Sequence, residues 1–304
     1  MRASVRGVVI PLPTPFRGDL DVDHEALARY VGWLIGHGID TVMTTVGTSR
    51  FNLLTPDEAK AVNQTVVEAA GGRATTIVAN PQFGSTHHAV TFARHARVIG
   101  ADYFLAYYPE RYYGDDNTVE FFSAIASAAD GLGILVHETP MRCGFGGPAR
   151  HYSAAVLERL LQIDGVVGMK EEALDADHSN ALVETFSGGA IVIGAGGGMS
   201  RYLERDFDRG AAAYLGGIGG FAPAVELAFF SALTGGRRAE AERIVAELER
   251  PYFDTVVPWG WHPALKAAIS LKGLLPIEER PPMKSLNDDQ MTSLRHVLAS
   301  NGWL

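Results

Sequence analysis

Cysteine is almost missing. The 304-residue chain has one, Cys143, so no disulfide can close within it, and a reducing compartment is the expected setting. Positive charge is short as well. The formal net charge of −9 gives no electrostatic reason to expect nucleic acid or an anionic membrane as partner. No window approaches the roughly 18 consecutive apolar residues of a membrane span. The opening stretch MRASVRGVVIPLPTPF has only a short apolar run, broken by Pro11, Pro13 and Pro15, so a secretory leader is not expected. No G-x-G-x-x-G follows the first apolar run, which counts against a dinucleotide-binding sheet. These absences predict a soluble cytoplasmic protein.

Apolar residues are plentiful, at 47 % of the chain, enough for a large core. They fall in short β-like runs at 7–12, 40–46, 74–80, 101–107, 133–138, 166–170, 190–195 and 211–217. The runs are near-continuous rather than alternating, which suggests parallel strands covered on the outer face. Amphipathic segments lie between them. Asp23, Thr55-Pro56, Ser85 and Ser153 stand where helix N-caps are expected. Eight strands each followed by a helix predict a (β/α)₈ TIM barrel over 1–235, with an open doubly wound sheet as the alternative. After Gly235-Gly236 the β-like runs stop. Three helical stretches over 236–304 predict a C-terminal helical extension packed on the barrel.

Lysine is scarce, at five residues against 21 arginines. Lys60, Lys266, Lys272 and Lys284 fall in polar helices, the extension or a loop, and surface positions are expected for them. Lys170 differs because it closes the apolar run VVGMK. In a barrel the active site is built at the C-terminal ends of the strands. An amine held there is partly desolvated, which favours the neutral nucleophile that attacks carbonyls. The plainer reading is a strand that frays into solvent one residue early.

At this point the residues resemble a known family. PLPTPF near the start, VGTSRFNLLTPDE after the second run, GMKEE at the sixth and HPALKAAISLKGLL near the end are similar, in order and spacing, to the N-acetylneuraminate lyase / dihydrodipicolinate synthase family of Schiff-base class I aldolases. The resemblance extends over the whole chain, as a divergent member. It implies that Lys170 forms an imine with a 2-oxo acid, usually pyruvate. It also implies that Thr48 and Ser49 bind the acid's carboxylate; a simple turn is the other reading of Gly47-Thr48-Ser49.

The departures matter as much. The family's proton-shuttling tyrosine after the fifth run is His137 here, and its arginine five residues on is Arg142. Imidazole titrates near 6.5 and phenol near 10, so His137 can move protons at neutral pH. Alternatively it only hydrogen-bonds, and Arg142 either binds a substrate carboxylate or makes a structural ion pair. The Gly-Glu that follows the hydroxyl pair in the family is replaced by Arg50-Phe51, which brings a positive charge toward the site. In AYYPERYYG, Tyr108 best matches the tyrosine that reaches into a neighbouring subunit's site, with Tyr112 and Tyr113 in a rival register. A homotetramer or homodimer is implied.

Glycines crowd the ends of the last two runs, GAGGGM (194–199) and LGGIGGF (215–221). Gly194, Gly196 and Gly216 are candidate substrate contacts, through amides that cradle a carboxylate or phosphate; close packing explains the glycines equally well. His87, His88, His95, His151 and His262 show no metal-ligand spacing, so neither a metal nor any other cofactor is expected. The expectation is therefore a Schiff-base lyase acting on a 2-oxo acid, with or without an aldehyde co-substrate, and not the lysine-pathway synthase itself. A keto-deoxy sugar acid dehydratase using the same imine and a non-catalytic 2-oxo-acid-binding barrel are the alternatives.

Overall fold

Each apolar run becomes a strand. The computed structural model describes residues 5–82, 84–109, 111–139, 141–142, 149–173 and 175–304. In chain order the strands are β1 (Gly7–Pro11), β2 (Thr41–Thr44), β3 (Thr75–Ala79), β4 (Tyr103–Ala106), β5 (Gly133–Glu138), β6 (Met141–Arg142), β7 (Ala149–Arg150), β8 (Val166–Glu171), β9 (Ile191–Gly194) and β10 (Ala213–Leu215). Eight of them close into a parallel barrel in the order β1-β2-β3-β4-β5-β8-β9-β10. Closure is direct: β1 pairs with β10 through Val8 opposite Tyr214, and with β2 through Ile10 opposite Val42. The open doubly wound sheet is thereby excluded. The antiparallel pair β6–β7 was not expected from the sequence and follows β5 at the mouth of the barrel.

Strand alternation sorts the core into two layers. Val9, Met43, Ile77, Leu105, Leu135 and Ile193 fill the interior, while Val8, Ile10, Val42, Phe104, Val136 and Met169 face the surrounding helices. Both sets are buried, which is why the runs show no polar alternation.

The helices over the barrel are α1 (His24–Gly36), α2 (Pro56–Ala70), α3 (Thr86–Val98), α4 (Asp115–Ala129), α5 (Ala154–Leu161), α6 (Ala176–Phe186), α7 (Gly198–Arg201) and α8 (Pro223–Thr234). Three of the four expected caps form. Asp23 accepts from the Ala26 amide at 2.9 Å, Ser153 accepts from Val156 at 3.2 Å, and Thr55 and Glu58 make a reciprocal capping box ahead of Pro56. Ser85 precedes α3 without a side-chain cap bond. Among the described residues no helix is long and apolar enough to cross a membrane.

The C-terminal part adds α9 (Arg238–Ile244), α10 (Arg250–Val256), α11 (Trp261–Leu271) and α12 (Asp288–Ser300), sharing one continuous apolar core with the barrel's outer layer. Tyr252 and Trp303 pack on Phe221 at ring-centroid distances of 5.3 and 5.7 Å. Two expectations for charged residues fail here. Lys266 is 1 % exposed rather than on the surface, with Glu279 at 3.4 Å and the Phe16 ring at 4.8 Å. Burial brings its pKa down to about 8, against the pull of Glu279. Arg50 does not face the site. It occupies the left-handed region at φ 58°, is fully buried, and pairs with Glu279 while donating to the carbonyls of Thr48 and, at 2.9 Å, His262. The cation that replaces the family's acidic residue therefore fastens the turn after β2 to the C-terminal extension.

Candidate active site

Strand register assembles the central cluster. His137 stands opposite Lys170 in the β5–β8 ladder, one residue before each strand ends. Both point inward, since their neighbours Val136 and Met169 belong to the outer core. Lys170 Nζ lies 2.9 Å from His137 Nε2 and also contacts Glu172, whose Oε2 is 2.9 Å from the same imidazole nitrogen. Glu172 follows Lys170 by two residues, so it shares the inward face. The amine is deeply enclosed: the Lys170 side chain is 3 % exposed, and that of Glu172 is 36 % exposed.

The electrostatics follow from this enclosure. Burial first, and the Lys170 charge second, lower His137 to about 4 against the opposing pull of Glu172. The imidazole is consequently neutral at pH 7 and able to accept a proton. Burial alone would raise the Glu172 carboxyl. The Lys170 charge and the His137 hydrogen bond overcome it and hold Glu172 well below the usual carboxylate range. Nε2 donates to Glu172 in one tautomer and accepts from Lys170 in the other, where the ring proton resides on Nδ1, which has no hydrogen-bond partner among the described residues.

Tyr107 completes the inner wall. Its ring meets His137 edge-on at 4.2 Å between centroids, and burial together with the Glu172 charge pushes its phenol well above the ordinary value. Tyr108, expected to reach a neighbouring subunit's site, points away from the Lys170 of its own chain. It packs on Phe121 at 5.1 Å and Tyr152 at 6.5 Å in the outer layer, and lines a separate surface hollow of about 680 Å³. The reason is strand alternation: Leu105 and Tyr107 face the interior, so Phe104, Ala106 and Tyr108 face out. Tyr112 bonds to Asp115 under the Arg150 guanidinium, and Tyr113 is 66 % exposed, so neither rival joins Lys170 within the chain.

A cavity of about 360 Å³ opens beside the cluster, lined by Thr48, Glu172, Gly196, Gly216, Trp261 and His262 among others. This is the size range of small-molecule sites. Thr48 reaches it. Ser49 is fully buried beneath, with its Oγ unpartnered and its carbonyl accepting from Thr14 at 2.5 Å. His262, which the sequence placed no nearer than the extension, stands against Gly47. Burial and the Arg50 charge lower it to about 4.

The protein's own carboxylates hold several amides of the glycine loops, which favours the close-packing reading over an anion cradle there. The buried Glu226 accepts from Gly217 and Gly219 at 2.9 and 3.2 Å, and Glu249 accepts from Met199 and Ser200 at 2.7 and 2.6 Å. Close packing explains the glycines better. A Cβ on Gly194 would fall 1.9 Å from Asp206, so that residue lies against the outer layer rather than the cavity. Gly196 and Gly216 do line the cavity, and Gly196 has φ +79°.

Arg142 is in β6, but its side chain, like the whole of Cys143, lies outside the described residues. Sequence reasoning missed Tyr107, Glu172 and His262. Period-two alternation carried the signal for the first two. Nothing local marked His262, which chain folding brings in from the extension.

Comparison with known proteins agrees with this architecture. A "DapA-like lyase" of Halobacterium salinarum is 28 % identical over 99 % of this chain and 95 % of its own length. The 4-hydroxy-tetrahydrodipicolinate synthase of Heliobacterium modesticaldum is 26 % identical over 97 % and 95 %. Among solved structures, dihydrodipicolinate synthase from Aquifex aeolicus superposes with a TM-score of 0.85 at 24 % identity, covering 98 % of this chain and 99 % of its own. N-acetylneuraminate lyase from Mycoplasma synoviae gives 0.83 at 21 % identity, covering 97 % of each chain. Two of these relatives are named as lyases and two as synthases; the family model for the dihydrodipicolinate synthetase family matches residues 4–301, and the chain belongs to that family.

Proposed function

We propose that this protein is a class I lyase that forms an imine between Lys170 and the keto carbon of a 2-oxo acid, pyruvate or a compound that yields it. One observation carries the reading: the enclosed Lys170 amine stands 2.9 Å from an imidazole that is neutral at pH 7. His137 takes one proton from the Lys170 ammonium, and the freed lone pair adds to C2 of the acid. The resulting carbinolamine expels its oxygen as water, with the proton returned by His137, leaving a protonated imine. That imine accepts the electron pair of the C3–C4 bond when the bond breaks, as a C4 hydroxyl gives its proton to the neutral His137 and becomes the aldehyde, leaving an enamine on Lys170. In the reverse direction, loss of a C3 proton makes an enamine that adds to an aldehyde. The imine is itself the electron sink, so this chemistry calls on no cofactor.

Thr48 is assigned to the substrate carboxylate, at the cavity wall nearest the turn after β2. Glu172 balances the Lys170 charge before the acid arrives and keeps His137 oriented. Tyr107 shields the imidazole from water. A site of about 360 Å³ suits a short-chain acid, with the small residues Gly196 and Gly216 leaving room for its distal end.

Borohydride trapping with pyruvate and then other 2-oxo acids tests the proposal, read by intact mass and peptide mapping. A stable adduct on Lys170, absent in Lys170→Ala, is expected. Folded protein that gives no adduct with any 2-oxo acid would overturn it. Release of pyruvate from a candidate substrate then separates carbon–carbon cleavage from dehydration.

A further inference from the structure

The strands that present His137 and Lys170 inward present Glu138 and Glu171 outward, opposite one another in the same ladder. The two buried carboxylates are treated unequally. Glu171 is fully engaged by the Ala173 amide at 2.7 Å, the Ser179 hydroxyl at 2.6 Å and the Arg201 guanidinium. Glu138 is 0 % exposed and uses only Oε1, which accepts from His151 Nδ1 at 3.0 Å and the Tyr152 amide at 3.2 Å. Among the described residues its Oε2 has no partner. His178 Nε2 lies 3.8 Å from Oε1, and among the described residues it too is buried without a hydrogen bond. Buried polar atoms without partners are costly.

We propose that Glu138, His151 and His178 form a binding site for a divalent cation of the zinc class on the outer face of the barrel. One ligand atom from each residue lies within 4.8 Å of the others. Around a metal with bonds of about 2.0–2.1 Å, tetrahedral ligand atoms stand roughly 3.3 Å apart. The Oε1 distances of 3.0 Å to His151 and 3.8 Å to His178 bracket that value. A His151–Glu138 hydrogen bond leaves His178 Nε2 unused, whereas a cation held by Oε1 engages both imidazoles. Two imidazoles and one carboxylate are a donor set that zinc accepts, with water in the fourth position.

Access is from the surface, because the His151 and His178 side chains are 17 % and 27 % exposed. His178 is held in the first turn of α6, where Asp175 accepts from its amide at 2.7 Å. His151 stands in the segment just after β7. A bound cation would tie both segments to the end of β5, one residue from His137. Its role would be to position, since none of the three residues lines the cavity beside Lys170. No ligand motif marks the three residues, which are spread from 138 to 178 along the chain.

Full-length protein stripped with a chelator tests the site, titrated with Zn²⁺ by calorimetry and with Co²⁺ by visible absorption. One equivalent of each is expected, with the intense d–d bands of tetrahedral Co²⁺ and a higher Tm when Zn²⁺ is present. His178→Ala, at a half-buried position, should keep the fold and weaken binding at least tenfold, as should Glu138→Gln. His87→Ala should bind like the wild type. Absence of stoichiometric binding by folded wild type, or equal binding by His151→Ala and His178→Ala, would overturn the proposal. This outcome does not depend on imine formation at Lys170, so the two proposals fail separately.

Discussion

Lys170 and His137 meet at 2.9 Å because they are directly opposed in the β5–β8 ladder, so the spacing of nucleophile and base is set by backbone hydrogen bonds rather than by loop conformation. Sites built on strands hold such geometry more tightly than sites on loops. His137→Gln retains a polar side chain and removes proton transfer. Its kcat is expected to fall about 100-fold or more, the usual contribution of a positioned base. Prolonged borohydride trapping should still label Lys170. An unchanged kcat would assign the proton transfer elsewhere.

Thr48→Val keeps the shape of the cavity wall and deletes the hydroxyl. A hydrogen bond to a charged group contributes about 1.5–3 kcal/mol, so KM for the 2-oxo acid should rise roughly 10- to 100-fold. Steady-state kinetics check it, with kcat expected to change far less. A normal KM would remove Thr48 from carboxylate binding.

Arg50 and Glu279 are a buried ion pair whose side chains are 0 % and 1 % exposed. Glu279→Ala leaves the guanidinium without its counter-charge and should cost about 3–5 kcal/mol, measured by urea denaturation. Replacing all three charges, as Arg50→Met and Lys266→Met with Glu279→Leu, should recover part of the loss because no lone charge remains buried. A cost below about 1 kcal/mol in the single variant would contradict the burial of this pair.

His137 and His262 are both lowered from 6.5 to about 4, in each case chiefly by burial. The folded state favours the neutral rings, so unfolded chains bind more protons in this window. Their contribution is fully present above about pH 6.5 and is lost as pH falls toward about 4. His262→Asn should flatten the acid limb of Tm against pH. An unchanged slope between those values would show that His262 titrates normally.

Inorganic phosphate should not compete with the substrate, because Glu226 and Glu249 occupy the loop amides that would hold it. Competitive inhibition at millimolar phosphate would reveal an anion site elsewhere in the cavity.

Much of the fold was written locally. Eight apolar runs, the capping residues Asp23, Thr55 and Ser153, and the end of β-like signal at Gly235-Gly236 are short-range features, and each fixes an element without knowledge of its neighbours. Lys170 could be singled out because lysines are few and this one closes a core strand. Tyr107 was also within reach, since Leu105 and Tyr107 share a strand face from which Tyr108 is excluded. The residues that came out differently depend on long-range pairing. Arg50 carries a charge that on the sequence pointed to the site. Only the approach of Glu279, 229 residues away, turns it into a buried tie. Lys266 is buried for the same reason.

The sequence alone therefore determined the barrel, the helices around it and the strand end that carries the amine, because periodicity, caps and apolar runs act over a few residues. Tertiary structure decided which charges neutralise one another. Strand register set His137 against Lys170, and tertiary packing gave the amides of Gly217 and Gly219 to Glu226 and those of Met199 and Ser200 to Glu249. The joining of β5, the segment after β7 and α6 put His151 and His178 beside Glu138. Electrostatic partners and desolvation depend on distances in space, and a linear pattern does not encode those until the barrel has closed.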